Sequence, residues 1–292
     1  MRSWLVIPAL GVVSAAGAVG LGARAPFDVV ATGALGAAVT ASVRALIGDS
    51  PASLAGAMLA PLLLIAMLFD PSVSHAGIAR AALAIAAAAW TVVELSRPST
   101  SPLVAVMPAV VTAVLEPAFV ALVAFAGARL MTAPWKRPPW AITGPIAGGV
   151  ALLLALHSGT AKSGMMHTLG SHWFGPAAPS STSSLATALA ERLGPFTSVA
   201  AIVGLASLAR PRHAELALAS CALGAVLVSM RAGVVGPALV GVAAISAALA
   251  VARFAALIRI APGQACTGAT ASLLLLLPPA WAAIEHGVLR GA

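Results

Sequence analysis

The chain contains no tyrosine, no asparagine, a single glutamine (Gln264), two lysines (Lys136, Lys162) and two cysteines (Cys221, Cys266). Charged residues make up only 8% of it, whereas a soluble domain carries about 25%. A water-facing surface cannot be covered with so few charges, so a soluble globular domain is excluded. The two cysteines lie in or beside apolar stretches and fit small core residues rather than a disulfide or metal site. Basic runs with interleaved aromatics are missing, which argues against a nucleic-acid partner.

What remains is strongly apolar. Hydrophobic residues are 60% of the 292-residue chain and the mean hydropathy is +1.02. The scarcity of Lys, Asn and Tyr beside 72 alanines and 14 arginines is the mark of GC-rich coding and points to a bacterial source. The net charge of +8 follows partly from that bias and partly from the basic cytoplasmic loops that membrane proteins carry. The expected fold class is therefore all-α: a polytopic transmembrane helix bundle forming one integral-membrane domain over 1–292, in the bacterial cytoplasmic membrane.

A crossing of the hydrocarbon core needs about 20 apolar residues. Such runs occur at 3–23, 27–47, 54–69, 78–95, 102–131, 140–157, 195–209, 214–230, 234–256 and 265–286, giving about ten helices, with nine to eleven compatible with the pattern. Pro26, Asp49-Ser50-Pro51, Asp70-Pro71, Arg97-Pro98, Pro138-Pro139 and Pro211 punctuate short links, which make neighbouring helices antiparallel. The first run outlasts a signal-peptide core and is expected to be a retained helix. Gly144-Pro145-Ile146-Ala147-Gly148 is a G-x-x-x-G, and Gly33/Gly36 and Gly233/Gly236 offer further small faces for close helix packing. With ten crossings, Lys and Arg favour the odd-numbered links over the even ones by nine to five, which puts the odd links in the cytoplasm and both termini outside.

The one long polar connection, 158–193, carries His167, His172 and a Pro/Ser/Thr tract. From Ser184 the spacing of Leu185, Leu189 and Leu193 predicts a short amphipathic helix over 184–193, lying on the membrane or on the bundle roof. His157, His167 and His172 have neither one-face spacing nor a nearby Cys or carboxylate, so no metal is expected. His213-Ala214-Glu215 and Glu285-His286 read as interfacial polar residues. Arg44, Arg97, Arg129 and Arg231 read as snorkelling helix-end arginines, and Asp28 and Asp49 as caps. No nucleotide-binding loop, G-x-S-x-G or H-E-x-x-H occurs, so the sequence assigns no catalytic residue, no cofactor and no enzymatic class.

Three functions fit such a chain. The first is a small secondary transporter or permease for a small solute. The second is a non-catalytic membrane subunit or assembly partner of a larger complex, with the bilayer and other membrane subunits as its partners. The third is a membrane-embedded transferase acting on a lipid-linked substrate. Transporters interrupt helices in corresponding halves, and Pro117 within 102–131 and Pro278-Pro279 within 265–286 are candidates for such interruptions. Glu116, flanked by apolar residues on both sides, is expected near the bilayer midplane. A carboxyl there costs about 2.5–3.5 kcal/mol on insertion scales and should face the bundle interior. Pro117 removes one helical N–H and frees the carbonyl of Ala113. Glu116 and Pro117 are therefore the candidate intramembrane coupling site, for a proton or a cation.

Overall fold

A computed structural model describes residues 5–21, 23, 25–48, 50–68, 78–97, 102–131, 194–207, 213–232, 235–258 and 260–284. The expected crossing at 140–157, the long loop and the amphipathic segment 184–193 lie outside the described residues. Among the described residues there are ten α-helices and no strand. They are α1 (Val6–Gly20), α2 (Pro26–Ile47), α3 (Pro51–Leu68), α4 (Ile78–Ser96), α5 (Pro102–Leu115), α6 (Val120–Met131), α7 (Pro195–Ala206), α8 (His213–Ala232), α9 (Pro237–Ala256) and α10 (Ala261–Ile284). A short 3-10 turn, Pro117–Phe119, precedes α6.

Proline starts many of these elements: Pro26, Pro51, Pro102, Pro117, Pro195 and Pro237 each occupy the first position. Their ring φ suits a helix, and the missing N–H would have had no partner there. Ser50 and Ser53 exchange side chain-to-backbone hydrogen bonds at 3.0 and 3.1 Å, closing the start of α3. Gly48 ends α2 at φ +90°, and Gly194 precedes α7 at φ +76°, both conformations that a side chain would strain.

Among the described residues, four helices are long and apolar enough to cross a membrane: Pro26–Ile47, Pro51–Leu68, Ile78–Ser96 and Pro237–Ala256. This is an integral membrane protein. Its helices meet where side chains are smallest. Gly11 lies against the backbone of Gly33, Ser14 is seated on Gly36, and Gly56 touches the carbonyl of Ala248. Gly204 leaves no room for a Cβ beside the Ser246 backbone, and Gly241 lies under Ile85. Helix α9 packs against α2, α3, α4, α7, α8 and α10 and is buried along nearly its whole length. A helix apolar on every side belongs at such a centre. Helix α10 is the opposite case, with Leu273, Leu274, Leu277 and Trp281 exposed. An apolar outer face of this kind suits lipid.

Contacts between named residues fix helix direction. Thr40 on α2 donates to the Ala57 carbonyl on α3, Thr112 on α5 donates to the Ala84 carbonyl on α4, and Ser272 on α10 donates to the Ala55 carbonyl on α3. With the start of α1 taken as the near end, α2, α4, α6, α7 and α9 finish at the near end, and α3, α5, α8 and α10 start there.

Two expectations change. The run 102–131 is not one helix. It breaks at Glu116, and α5 and α6 pack against each other, so the chain folds back into a hairpin. Thirty residues of helix would extend about 45 Å, well beyond a hydrocarbon core of about 30 Å. Pro117 cannot donate the next helical hydrogen bond, and the chain reverses there. The second change concerns Pro278 and Pro279, which lie inside a continuous α10. The expected pair of interruptions thus reduces to the one at Pro117.

Candidate functional site

The turn between α5 and α6 is built by its own backbone. The N–H of Glu116 donates to the Thr112 carbonyl at 2.8 Å, completing α5, and the N–H of Phe119 donates to the Glu116 carbonyl at 3.0 Å, opening the next turn. Ala118 and Phe119 are buried, as are Leu122 and Phe125 of α6, and these anchor the hairpin in the core. Glu116 itself is half-buried. Arg80 comes close through the chain, bonded to the carbonyl of Leu115, the residue before Glu116.

Arg80 reaches this turn from the first turn of α4. Its Nε and Nη2 both donate to the carbonyl of Leu115, at 3.1 and 3.0 Å. Leu115 ends α5, so its carbonyl has no helical partner and carries the negative end of the helix dipole. A forked cation is well matched to that position. Arg80 is solvent-exposed. The structure therefore brings Glu116 and Pro117 to a helix end at the far end of the bundle, level with the start of α4. Neither lies at mid-helix. Arg80, which the sequence offered only as a loop charge, joins them.

A second charged cluster lies at the near end. Arg253 of α9 donates through Nη2 to Glu215 Oε1 of α8 at 3.1 Å, and through Nη1 to the Ser207 hydroxyl at 2.8 Å and to the Ser207 carbonyl. One guanidinium thus joins the ends of α7, α8 and α9. The Glu215 side chain is 8% exposed and that of Arg253 31%. Also at the near end, Glu94 of α4 is buried and pairs with Arg97 at 3.6 Å. All three glutamates among the described residues therefore stand beside arginines. Sequence reasoning took Glu215 for an interfacial residue and passed over Glu94. Their signal was available, because carboxylates inside apolar helices need partners. The identity of those partners was not, since Glu215 and Arg253 are 38 residues apart.

The candidate ligand-type histidines His157, His167 and His172 lie outside the described residues. Cys221 is buried and Cys266 exposed. Between α3 and α10 runs a sideways-open apolar cavity of about 380 Å³, bordered by Leu54, Met58, Leu62, Leu273 and Leu276. Comparison with protein-family models, curated proteins and solved structures finds no match to this chain.

Proposed function

We propose that the protein is a multi-pass protein of the bacterial cytoplasmic membrane that moves a small solute, with Glu116 as the proton- or cation-coupling carboxyl and Pro117 as the break that places it. The supporting observation is the interrupted segment itself: a carboxylate in a helix break, beside an arginine already bonded to the open backbone carbonyl. Transporters use such breaks because irregular backbone in a membrane protein survives only where protein or water satisfies it. Coupling requires two states of one group. Ionised, Glu116 is favoured by the nearby Arg80 charge. Protonated or cation-bound, it no longer draws on that charge, and the guanidinium keeps its acceptor in Leu115. The position at the bundle's far end gives the carboxyl a short route to solution, which suits an entry site better than a midplane relay.

The subunit reading draws on a different feature, the apolar cavity between α3 and α10, which a neighbouring membrane helix could fill. One experiment separates the two. The purified chain is reconstituted alone into vesicles loaded with a pH-sensitive dye, and a panel of sugars, amino acids, nucleosides and organic acids is added under an imposed pH gradient. Solute-dependent proton flux that Glu116→Gln abolishes supports coupling. Equal flux in both proteins refutes the role of Glu116. A chain that folds only with a copurified partner and moves nothing alone favours the subunit reading.

A further inference from the structure

We propose that the near end of the bundle is its cytoplasmic face, seated on anionic headgroups of the inner leaflet, and that the Glu116 turn faces the opposite side. The inference rests on the multi-pass membrane reading but not on transport.

The hairpin decides the geometry. Because α5 and α6 fold back on each other, Pro102 and Met131 return to the same end. Everything before the hairpin is therefore inverted relative to a chain that crosses once between 102 and 131. Three arginines with described side chains, Arg44, Arg97 and Arg253, lie in or just after the last turns of near-finishing helices. Arg129 belongs to the last turn of α6. The links 208–212 and 257–260 join near-end termini and carry Arg210, Arg212 and Arg259 in their sequence, while Arg2, Lys136 and Arg137 lie within six residues of near-end termini. The far end carries Arg80 and Arg231, with Arg24 in the α1–α2 link, Arg192 just before α7 and Arg290 after α10. The balance is ten to five; on the same count, with Arg192 included, a single crossing at 102–131 gives nine to six. Lysine and arginine close to membrane helices are retained on the cytoplasmic side, where the leaflet is negative. The N-terminus is thus inside, the C-terminus outside, and Glu116 outside, reversing the first half of the orientation expected from sequence.

Single cysteines in a Cys221→Ser, Cys266→Ser background of the full chain test this with a membrane-impermeant maleimide on intact cells. Ala25 and Ser50 are exposed in links at the far and near ends. The proposal expects Ala25→Cys to label in intact cells and Ser50→Cys only after lysis. The exposed Phe27 (far) and Leu257 (near) supply a second pair, Phe27→Cys and Leu257→Cys, should either of the first variants fail to fold. The opposite pattern, or equal labelling of both sites before lysis, overturns the orientation. For the headgroup contact, the purified chain should melt several degrees higher in phosphatidylglycerol-containing vesicles than in phosphatidylcholine alone. An unchanged Tm refutes that contact. Both readouts ignore solute movement, so they stand if the coupling role of Glu116 fails.

Discussion

Among the described residues, two arginine–glutamate sites that join separate helices stand in opposite settings. At the near end, Glu215 is buried and Arg253 mostly so, and the pair spends its hydrogen bonds joining three helices. At the far end, Arg80 is exposed, Glu116 is half-buried, and the guanidinium's two bonds go to a backbone carbonyl. A largely desolvated pair whose guanidinium bonds to two neighbouring helix ends is a structural joint, because releasing either charge leaves the other poorly solvated. A pair in contact with solution loses little when its carboxylate titrates or takes up a cation. Identical residue types thus become a lock or a switch according to water access.

Substitutions should expose that asymmetry, and the largest effect is expected at the lock. Glu215→Ala strands the Arg253 guanidinium, and removing one member of a buried pair costs about 3 kcal/mol. The variant should show a large fall in Tm and in the monodisperse fraction in detergent, measured by thermal denaturation and size-exclusion chromatography. At the far end Arg80→Ala removes the partner of the Leu115 carbonyl and should cost about 1 kcal/mol, with a correspondingly smaller fall in Tm. The smallest stability effect belongs to Glu116→Gln. It keeps the shape of the side chain, so its stability should stay within about 0.5 kcal/mol of the parent, as for surface substitutions, while solute-dependent proton flux disappears. Equal destabilisation by Glu215→Ala and Glu116→Gln would erase the contrast between the two sites.

Much of the helical layout was legible in the sequence because apolar run length and proline punctuation are local signals. The runs 27–47, 78–95 and 234–256 reappear as helices over Pro26–Ile47, Ile78–Ser96 and Pro237–Ala256. The small face of Gly33 and Gly36 also proved to be a packing surface, met by Gly11 and Ser14. The count of about ten crossings goes further than the four helices that satisfy both length and hydropathy. The hairpin was missed because hydrophobicity continues straight through Glu116: Val114 and Leu115 precede it and Phe119 follows. Its length was the neglected clue, since 30 residues overshoot one crossing. Proline alone was no guide. Pro61, Pro108, Pro278 and Pro279 all sit inside continuous helices, where neighbouring groups in a membrane bundle compensate the lost hydrogen bond. Arg80 and Arg253 were invisible as site residues because their partners, Leu115 and Glu215, are distant in sequence and are selected only by packing.

The reversal at Glu116 underlies the site, the orientation and the proposed coupling, and one distance tests it. Spin labels at Val104→Cys on α5 and Gly127→Cys on α6 suit the purpose: Val104 is exposed, and nothing lies within 4 Å of a Cβ placed at Gly127. Packed helices with axes about 8–10 Å apart should bring the labels to within about 20 Å by double electron–electron resonance in lipid nanodiscs. A single continuous helix would hold them about 35 Å apart, and a distribution centred there would contradict the account.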